Sequence, residues 1–283
     1  MDTSTHQATI GRFTATCRAD ARIVAAFLGG SYAAGRADEH SDLDLYLVVE
    51  DATYDAFFAE RRTFMEQLGA PVFLEDFDGF GFDMLLFIFA DGSEGELALG
   101  RTSGFTQIHG GPFQPLIDKR GILAQHVFPL YQAPEAEQRA TLRRAVYRFW
   151  HDLWKWSKVL ARGQLWSAAG KLEELRRTCM QLARLDHDFT APAEAYYKLD
   201  QAVSAQNLLV LQSTFCGIER DANVAAVREL IGLYLRLAPP LARRHGVDYP
   251  ADLEDVVLRR VAQACGISPP IYSEIYRGPD SQS

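Results

Sequence analysis

Two aspartates near the start of the chain have a spacing that suits metal binding. Asp42 and Asp44 alternate with apolar residues, which is the pattern of a β-strand with one polar face. Residues two positions apart on a strand point to the same side, roughly 6.6 Å apart along the chain. Two carboxylates so placed repel each other unless a cation lies between them. Mg²⁺ is bound by one or two carboxylates with phosphate oxygens and water, so the pair predicts a divalent metal site.

A glycine-rich turn precedes the aspartates by about ten residues. Gly29, Gly30 and Ser31 follow the apolar run 23–28, which predicts a buried strand that ends in a tight turn. Glycine lets the backbone approach a ligand closely, and serine adds a hydroxyl and an N–H group that suit a phosphate. Each feature alone is also compatible with a plain turn or a solvated strand. Together they predict a nucleotide–metal site.

Two common nucleotide-binding patterns are absent from this turn. The segment GGSYAAGR lacks the Gly-Lys-Ser/Thr ending of a P-loop. It also lacks the G-x-G-x-x-G pattern of dinucleotide-binding folds. The predicted site therefore belongs to a different kind of nucleotide-binding protein.

The elements that position these residues form a first half in which strands alternate with helices. The turn follows a predicted strand over 23–28, and the aspartates lie at the start of a predicted strand over 43–49. Apolar residues at helical spacing predict a helix over 53–68. Further strands are predicted over 72–77, 84–90, 96–99 and 115–118. The order of the elements predicts an α/β (α+β) domain with a mixed β-sheet and helices on one side.

The sequence pattern of the second half of the chain is typical of a helical bundle. Apolar residues recur with a period of 3.6 over residues 136–161, 166–185, 193–211, 223–245 and 252–264. We therefore predict two domains, a catalytic domain over residues 1–130 and a C-terminal α-helical bundle over residues 131–283 that binds the substrate.

The charge distribution argues against one class of partner, duplex nucleic acid. The 283-residue chain has a net charge of −8. Residues 1–130 carry 9 basic and 19 acidic side chains, a net charge of −10, and residues 131–283 carry 20 and 18, a net charge of +2. Without a basic stripe we expect no duplex nucleic acid as a partner. An acidic half suits metal ions or a cationic small molecule.

The apolar runs also bear on where the protein is found. They fall far short of the roughly 18 residues that span a bilayer, and the N-terminus has no basic region followed by an apolar one. We therefore expect no membrane association and a cytoplasmic protein.

The turn and the aspartates together resemble a known signature. Gly29-Gly30-Ser31 followed by Ser41-Asp42-Leu43-Asp44 resembles that of the DNA polymerase β-like nucleotidyltransferase superfamily. The size and layout are similar to those of the antibiotic nucleotidyltransferases, which act on aminoglycosides or lincosamides. The segment 89–99 is similar to the streptomycin 6-adenylyltransferase segment in which a hairpin precedes a third acid.

The resemblance implies a role for each site residue. Asp42 and Asp44 would be catalytic and would hold Mg²⁺. Glu96 lies in the apolar–acid–apolar setting of the family and would be the third catalytic acid. It would bind either a second Mg²⁺ or the attacking hydroxyl, or both of them. The remaining predicted nucleotide-binding residues are Gly29, Gly30, Ser31 and Arg36. Other candidates for the third acid are Glu94, which shares a strand face with Glu96 but is assigned to the turn, and Asp83 and Asp118.

The resemblance also implies a reaction. ATP or another nucleoside triphosphate would give up a nucleoside monophosphate, AMP for ATP, to a hydroxyl of a small, cationic acceptor, with release of pyrophosphate. An aminoglycoside is favoured over a lincosamide. The alternatives are a protein or tRNA nucleotidyltransferase, such as a toxin–antitoxin AMP transferase, and a non-catalytic nucleotide-sensing module.

Overall fold

The computed structural model describes residues 4–266, and the chain divides between Tyr131 and Gln132 into two compact units. Residues 1–3 and 267–283, which the predicted domains include, lie outside the described residues. The first unit is α/β and the second is helical, so the predicted fold class is confirmed. The catalytic and substrate-binding roles assigned to the two domains stay predictions.

The first unit is built on a six-stranded mixed sheet with the strand order β3-β4-β5-β2-β1-β6. Its elements in chain order are α1 (Ser4–Ala19), β1 (Ile23–Leu28), α2 (Gly30–Ala33), β2 (Leu43–Val49), α3 (Tyr54–Leu68), β3 (Pro71–Phe77), β4 (Asp83–Phe89), β5 (Glu94–Arg101) and β6 (Gln114–Asp118). Strands β2 and β5 pair in parallel, and every other pair in this sheet is antiparallel.

The two faces of the sheet are covered differently. Leu45 and Leu97 belong to the apolar core between the sheet and helices α1 and α3. On the opposite face, Tyr46 and Ala98 pack against residues from the segments that follow β5 and β6, such as Phe128. Side chains alternate along a strand, so this second face is also the one that Asp44 and Glu96 occupy.

The second unit is a bundle around one large apolar core. Its elements are α4 (Glu135–Ala161), α5 (Leu165–His187), α6 (Leu199–Ala202), α7 (Ala205–Ser213), α8 (Arg220–Arg244) and α9 (Ala251–Cys265). The rings of Phe149 and Tyr234 stack with their centroids 4.0 Å apart, and the Tyr234 hydroxyl donates to the Val146 carbonyl oxygen at 2.6 Å. Among the described residues, every helix is too short or too polar to cross a lipid bilayer.

One predicted helix is wrong. The segment 193–211 is not continuous, because α6 ends at Ala202 and α7 begins at Ala205. Lys198 has a φ of 46°, a left-handed conformation that precedes α6, and the Ser204 side chain accepts the Asn207 N–H as an N-cap. Serine is favoured at an N-cap because its oxygen satisfies a free backbone N–H group, so Ser204 was the local signal for a break.

Candidate active site

The glycine-rich turn lies directly against Asp44. Strand β1 ends at Leu28, and the Gly29 N–H donates to the Asp44 carbonyl oxygen at 3.0 Å, which ties the turn to β2. Gly30 has a φ of +51°, and a Cβ atom there would lie 1.7 Å from Asp44 Oδ2. Gly30 is therefore required both by its backbone conformation and by the close approach of the carboxylate.

The three predicted acids meet at the same end of two strands. Asp44 on β2 pairs with Glu96 on β5, and because these strands are parallel their N-terminal ends lie side by side. Asp42 directly precedes β2, so the prediction that both aspartates stand on one strand is wrong for Asp42. Asp42 is exposed, whereas Asp44 and Glu96 are half-buried. Burial and, secondarily, the negative charge of Asp42 raise the pKa of Glu96.

Ser31 carries a polar atom that the protein leaves unsatisfied. Its Oγ is enclosed and has no hydrogen-bond partner within the described residues. Buried hydroxyls normally find a partner, so an enclosed hydroxyl without one, beside a turn that only glycine can form, suits a ligand oxygen. A phosphate oxygen is the natural candidate at this position.

The fit to a metal ion depends on ligands from outside the chain. Across residues 4–266, no group of three or more His, Cys, Asp or Glu side chains is arranged to hold a metal ion. Carboxylate oxygens are nevertheless the donors that Mg²⁺ prefers, and in nucleotide sites phosphate oxygens and water complete its coordination. The residues present therefore fit a metal that arrives with a nucleotide better than one that the protein holds alone.

The structure separates the four candidates for the third acid. Asp83 pairs with Leu99, accepts the Tyr54 hydroxyl at 2.6 Å, and so lies toward the helix-covered face. Asp118 accepts backbone N–H groups from the loop that follows it, including that of Leu123 at 2.9 Å. Glu94 is the first residue of β5, so its assignment to the turn is wrong. Glu94 and Glu96 share the face that carries Asp44.

Arg36 is less closely integrated with the site. Its backbone N–H closes the turn by donating to the Ser31 carbonyl oxygen at 2.9 Å, but the side chain is exposed. The guanidinium forms no hydrogen bond or ion pair within the described part of the chain. A role in binding phosphate stays a prediction for this residue.

Two aromatic residues that the sequence analysis missed lie beneath the turn. Tyr46 stacks on Phe27 at a centroid distance of 4.7 Å and meets the ring of His109 edge-on at 4.7 Å. A Cβ atom on Gly29 would approach Tyr46 Cε2 to 2.7 Å and His109 Cε1 to 3.0 Å. Burial and the charges of the three acids raise the pKa of Tyr46. Strand alternation from Asp44 could have identified Tyr46, whereas His109 lies in a loop and carries no sequence signal.

Gly30→Ala is expected to weaken nucleotide binding and to destabilise the turn. The added methyl group would meet Asp44 Oδ2 and would hold an L-residue at a φ of +51°. Gly35→Ala is the matched control, because Gly35 has a φ of +65° with open space around its Cβ position. ATP titrations should show at least about a tenfold rise in KM for Gly30→Ala and little change for Gly35→Ala. Equal KM values in the two variants would contradict the close approach.

The chain is similar to known proteins over most of its length. The family model for streptomycin adenylyltransferase matches residues 4–263. A crystal structure of an aminoglycoside 6-adenyltransferase from Bacillus subtilis is 14% identical, covers 91% of this chain and 96% of its own, and superimposes with a TM-score of 0.43. No curated protein sequence matches this one significantly. Because the family match spans nearly all of the described residues, the chain belongs to the streptomycin adenylyltransferase family and is a nucleotidyltransferase of the adenylyltransferase class.

Proposed function

We propose that the protein transfers AMP from ATP to a hydroxyl of an aminoglycoside and releases pyrophosphate. Family membership supports the adenylyl group and an antibiotic acceptor. The observation that carries the proposal is the pairing of Asp44 with Glu96 beside a glycine turn whose Ser31 Oγ has no partner. We assign catalysis to residues 1–130, and we propose that residues 131–283 contribute to binding the substrate.

The glycine turn would bind the triphosphate. Gly29 and Gly30 carry no side chain that would block the approach of the phosphates to the backbone. The Ser31 hydroxyl, which has no hydrogen-bond partner among the described residues, would donate to a phosphate oxygen. Arg36 lies five residues after Ser31, and its exposed guanidinium would add a positive charge that attracts the phosphates. These contacts would exist before the reaction begins, so they set the affinity for ATP more than the rate.

The carboxylates would control the position of the α-phosphorus. Asp42 and Asp44 would hold one Mg²⁺, and Glu96 with Asp44 a second. Bound Mg²⁺ would neutralise charge on the phosphates and stabilise the pentavalent transition state. The backbone bond from Gly29 to Asp44 fixes the phosphate-binding turn relative to these carboxylates. The chain thereby holds the electrophile and the charged groups in one rigid unit.

Glu96 would accept the proton of the attacking hydroxyl. The acceptor oxygen forms a bond to the α-phosphorus while the bond from phosphorus to the oxygen bridging to the β-phosphate breaks. Pyrophosphate leaves with that electron pair, and the hydroxyl proton passes to a Glu96 carboxylate oxygen. The geometry favours Glu96 for this step, because it is half-buried beside Asp44 in the parallel pairing of β2 with β5.

The function is tested by measuring pyrophosphate release from ATP with a panel of acceptors. We expect release with an aminoglycoside such as streptomycin and none without an acceptor. Release with lincosamides alone would reassign the acceptor. Release only with a protein or tRNA would favour the macromolecular transferases, and nucleotide binding without turnover would indicate a sensing module.

Removal of divalent ions is expected to abolish activity. Asp42, Asp44 and Glu96 concentrate negative charge where the triphosphate must bind, so ATP without a counter-ion would be repelled. An excess of EDTA should stop pyrophosphate release, and added Mg²⁺ should restore it. Turnover that persists in EDTA would contradict the proposed role of the carboxylates.

Ser31→Ala is expected to weaken nucleotide binding without lowering the stability of the fold. The Oγ atom has no partner in the protein, so its removal breaks no internal hydrogen bond and should leave the melting temperature within about 2 °C. The KM for ATP should rise at least about tenfold because a hydrogen bond from the hydroxyl to a charged phosphate oxygen is lost. Unchanged KM for ATP would show that the phosphates lie elsewhere.

A further inference from the structure

The face that carries Asp44 and Glu96 continues across two more strands and is left open there. Glu96 pairs with Leu86 on β4, Glu94 pairs with Ile88, and Ile88 pairs in turn with Phe73 on β3. Cross-strand partners point to the same face, so these side chains form one continuous surface. Phe73 is 42% exposed and Ile88 is 38% exposed, although both are large apolar residues.

A cavity of about 250 Å³ lies on this face. Its lining residues are Asp42, Phe73, Leu86, Phe87, Ile88, Glu94, Gly95 and Glu96. Pockets that enclose a drug-sized ligand usually measure roughly 300–1,000 Å³. A cavity of this size therefore suits one ring of a larger molecule, whose other parts stay outside it.

The lining combines apolar surface with negative charge. Phe73, Leu86 and Ile88 supply apolar surface, Asp42, Glu94 and Glu96 supply carboxylates, and no Lys or Arg belongs to the lining. Glu94 forms no ion pair with any other described residue. Charge complementarity therefore selects a cationic occupant, and the patch selects one with an apolar C–H face.

We propose that this face is the acceptor subsite and that Phe73, Ile88 and Glu94 bind one amino- or guanidino-substituted ring of the acceptor. The inference rests on the proposed function and names residues that set its specificity. Phe73 and Ile88 contact the C–H face of the ring, and Glu94 pairs with an ammonium or guanidinium group. Because Glu96 borders the same cavity, a hydroxyl on that ring lies within reach of the base.

The contribution of Phe73 is tested by calorimetry with streptomycin on the full-length protein. Phe73→Ala should raise the Kd for streptomycin about tenfold and leave the Kd for ATP unchanged. Phe77→Ala is the matched control, because Phe77 lies on the same strand, is 39% exposed and does not line the cavity. The control should leave both Kd values unchanged.

The contribution of Glu94 is tested by its neutral variant at two ionic strengths. Glu94→Gln should raise the Kd for streptomycin about three- to tenfold at low salt, with a smaller effect at high salt. Glu75→Gln removes the same charge from an exposed position on β3 that does not line the cavity, so its Kd should match that of the wild type.

Three outcomes would overturn the subsite. Suppose that the wild type adenylylates streptomycin but that neither Phe73→Ala nor Glu94→Gln changes the Kd for streptomycin. The proposed subsite is then wrong, while the proposed function stands. If the wild type neither binds nor modifies any aminoglycoside, both fail. If light scattering shows a dimer that Phe73→Ala dissociates, the face is an interface between copies of the chain.

Discussion

Asp44→Asn should lower kcat/KM for ATP by at least about 10²-fold. The residue lies against the glycine turn and opposite Glu96, so it is the carboxylate best placed to act on both the phosphates and the second acid. Asparagine keeps the shape but removes the charge that a metal–phosphate complex needs. Steady-state kinetics at saturating Mg²⁺ measures the loss.

Stability distinguishes this loss from damage to the fold. Asparagine keeps the size and shape of the half-buried Asp44 side chain, so the variant should keep a melting temperature within about 3 °C of the wild type. Asp78→Asn removes an equal charge from the loop between β3 and β4 and should leave kcat/KM unchanged. A lower melting temperature together with lower activity would assign Asp44 a structural role instead.

Glu96→Gln should reduce kcat by roughly 10²–10⁴, which is the usual contribution of a positioned base. Glutamine preserves the side-chain shape, so ATP and the acceptor should still bind within a few-fold of the wild type. If Glu96 chiefly binds a metal, the concentration of Mg²⁺ needed for half-maximal rate should rise as well, and Mn²⁺ should restore part of the rate. Single-turnover kinetics with ATP and streptomycin separates the two roles.

The sheet offers a close control for this variant. Glu75 and Glu96 both pair with Leu86, one from each side, and they lie on the same face. Glu75→Gln makes the same chemical change two strands away from Glu96, at a position that does not line the cavity, and should retain full kcat. If Glu96→Gln keeps more than about a tenth of wild-type kcat, Glu94 becomes the next candidate for the base.

Most strands of the first unit could be predicted because their buried residues form short apolar runs in the sequence. The prediction of a strand over 43–49 is confirmed, since its apolar run is buried on both faces beyond Asp44. Strand β5 begins two residues earlier than predicted, at Glu94. Gly92, with a φ of +83°, already turns the chain in the β4–β5 hairpin, so Glu94 is left to pair with Ile88.

The residues that meet at the site were harder to predict from the sequence than the strands that carry them. Spacing alone placed Asp42 and Asp44 near each other, but the position of Glu96 beside Asp44 follows from a parallel pairing that no local pattern encodes. The contact of His109 with Tyr46 likewise joins a loop to a strand that is distant in sequence. Such contacts depend on topology, and a period of two or 3.6 residues carries no information about it.

The parallel pairing of β2 with β5 has a consequence for the order of folding. Strands β3, β4 and β5 are joined by short connections and pair as a meander, whereas β2 joins β5 only after the chain has crossed over through α3. Pairings between distant segments form late because loop closure costs entropy before the contact offsets it. We therefore expect the acids to come together near the end of folding, so that the repulsion among them slows only the last step.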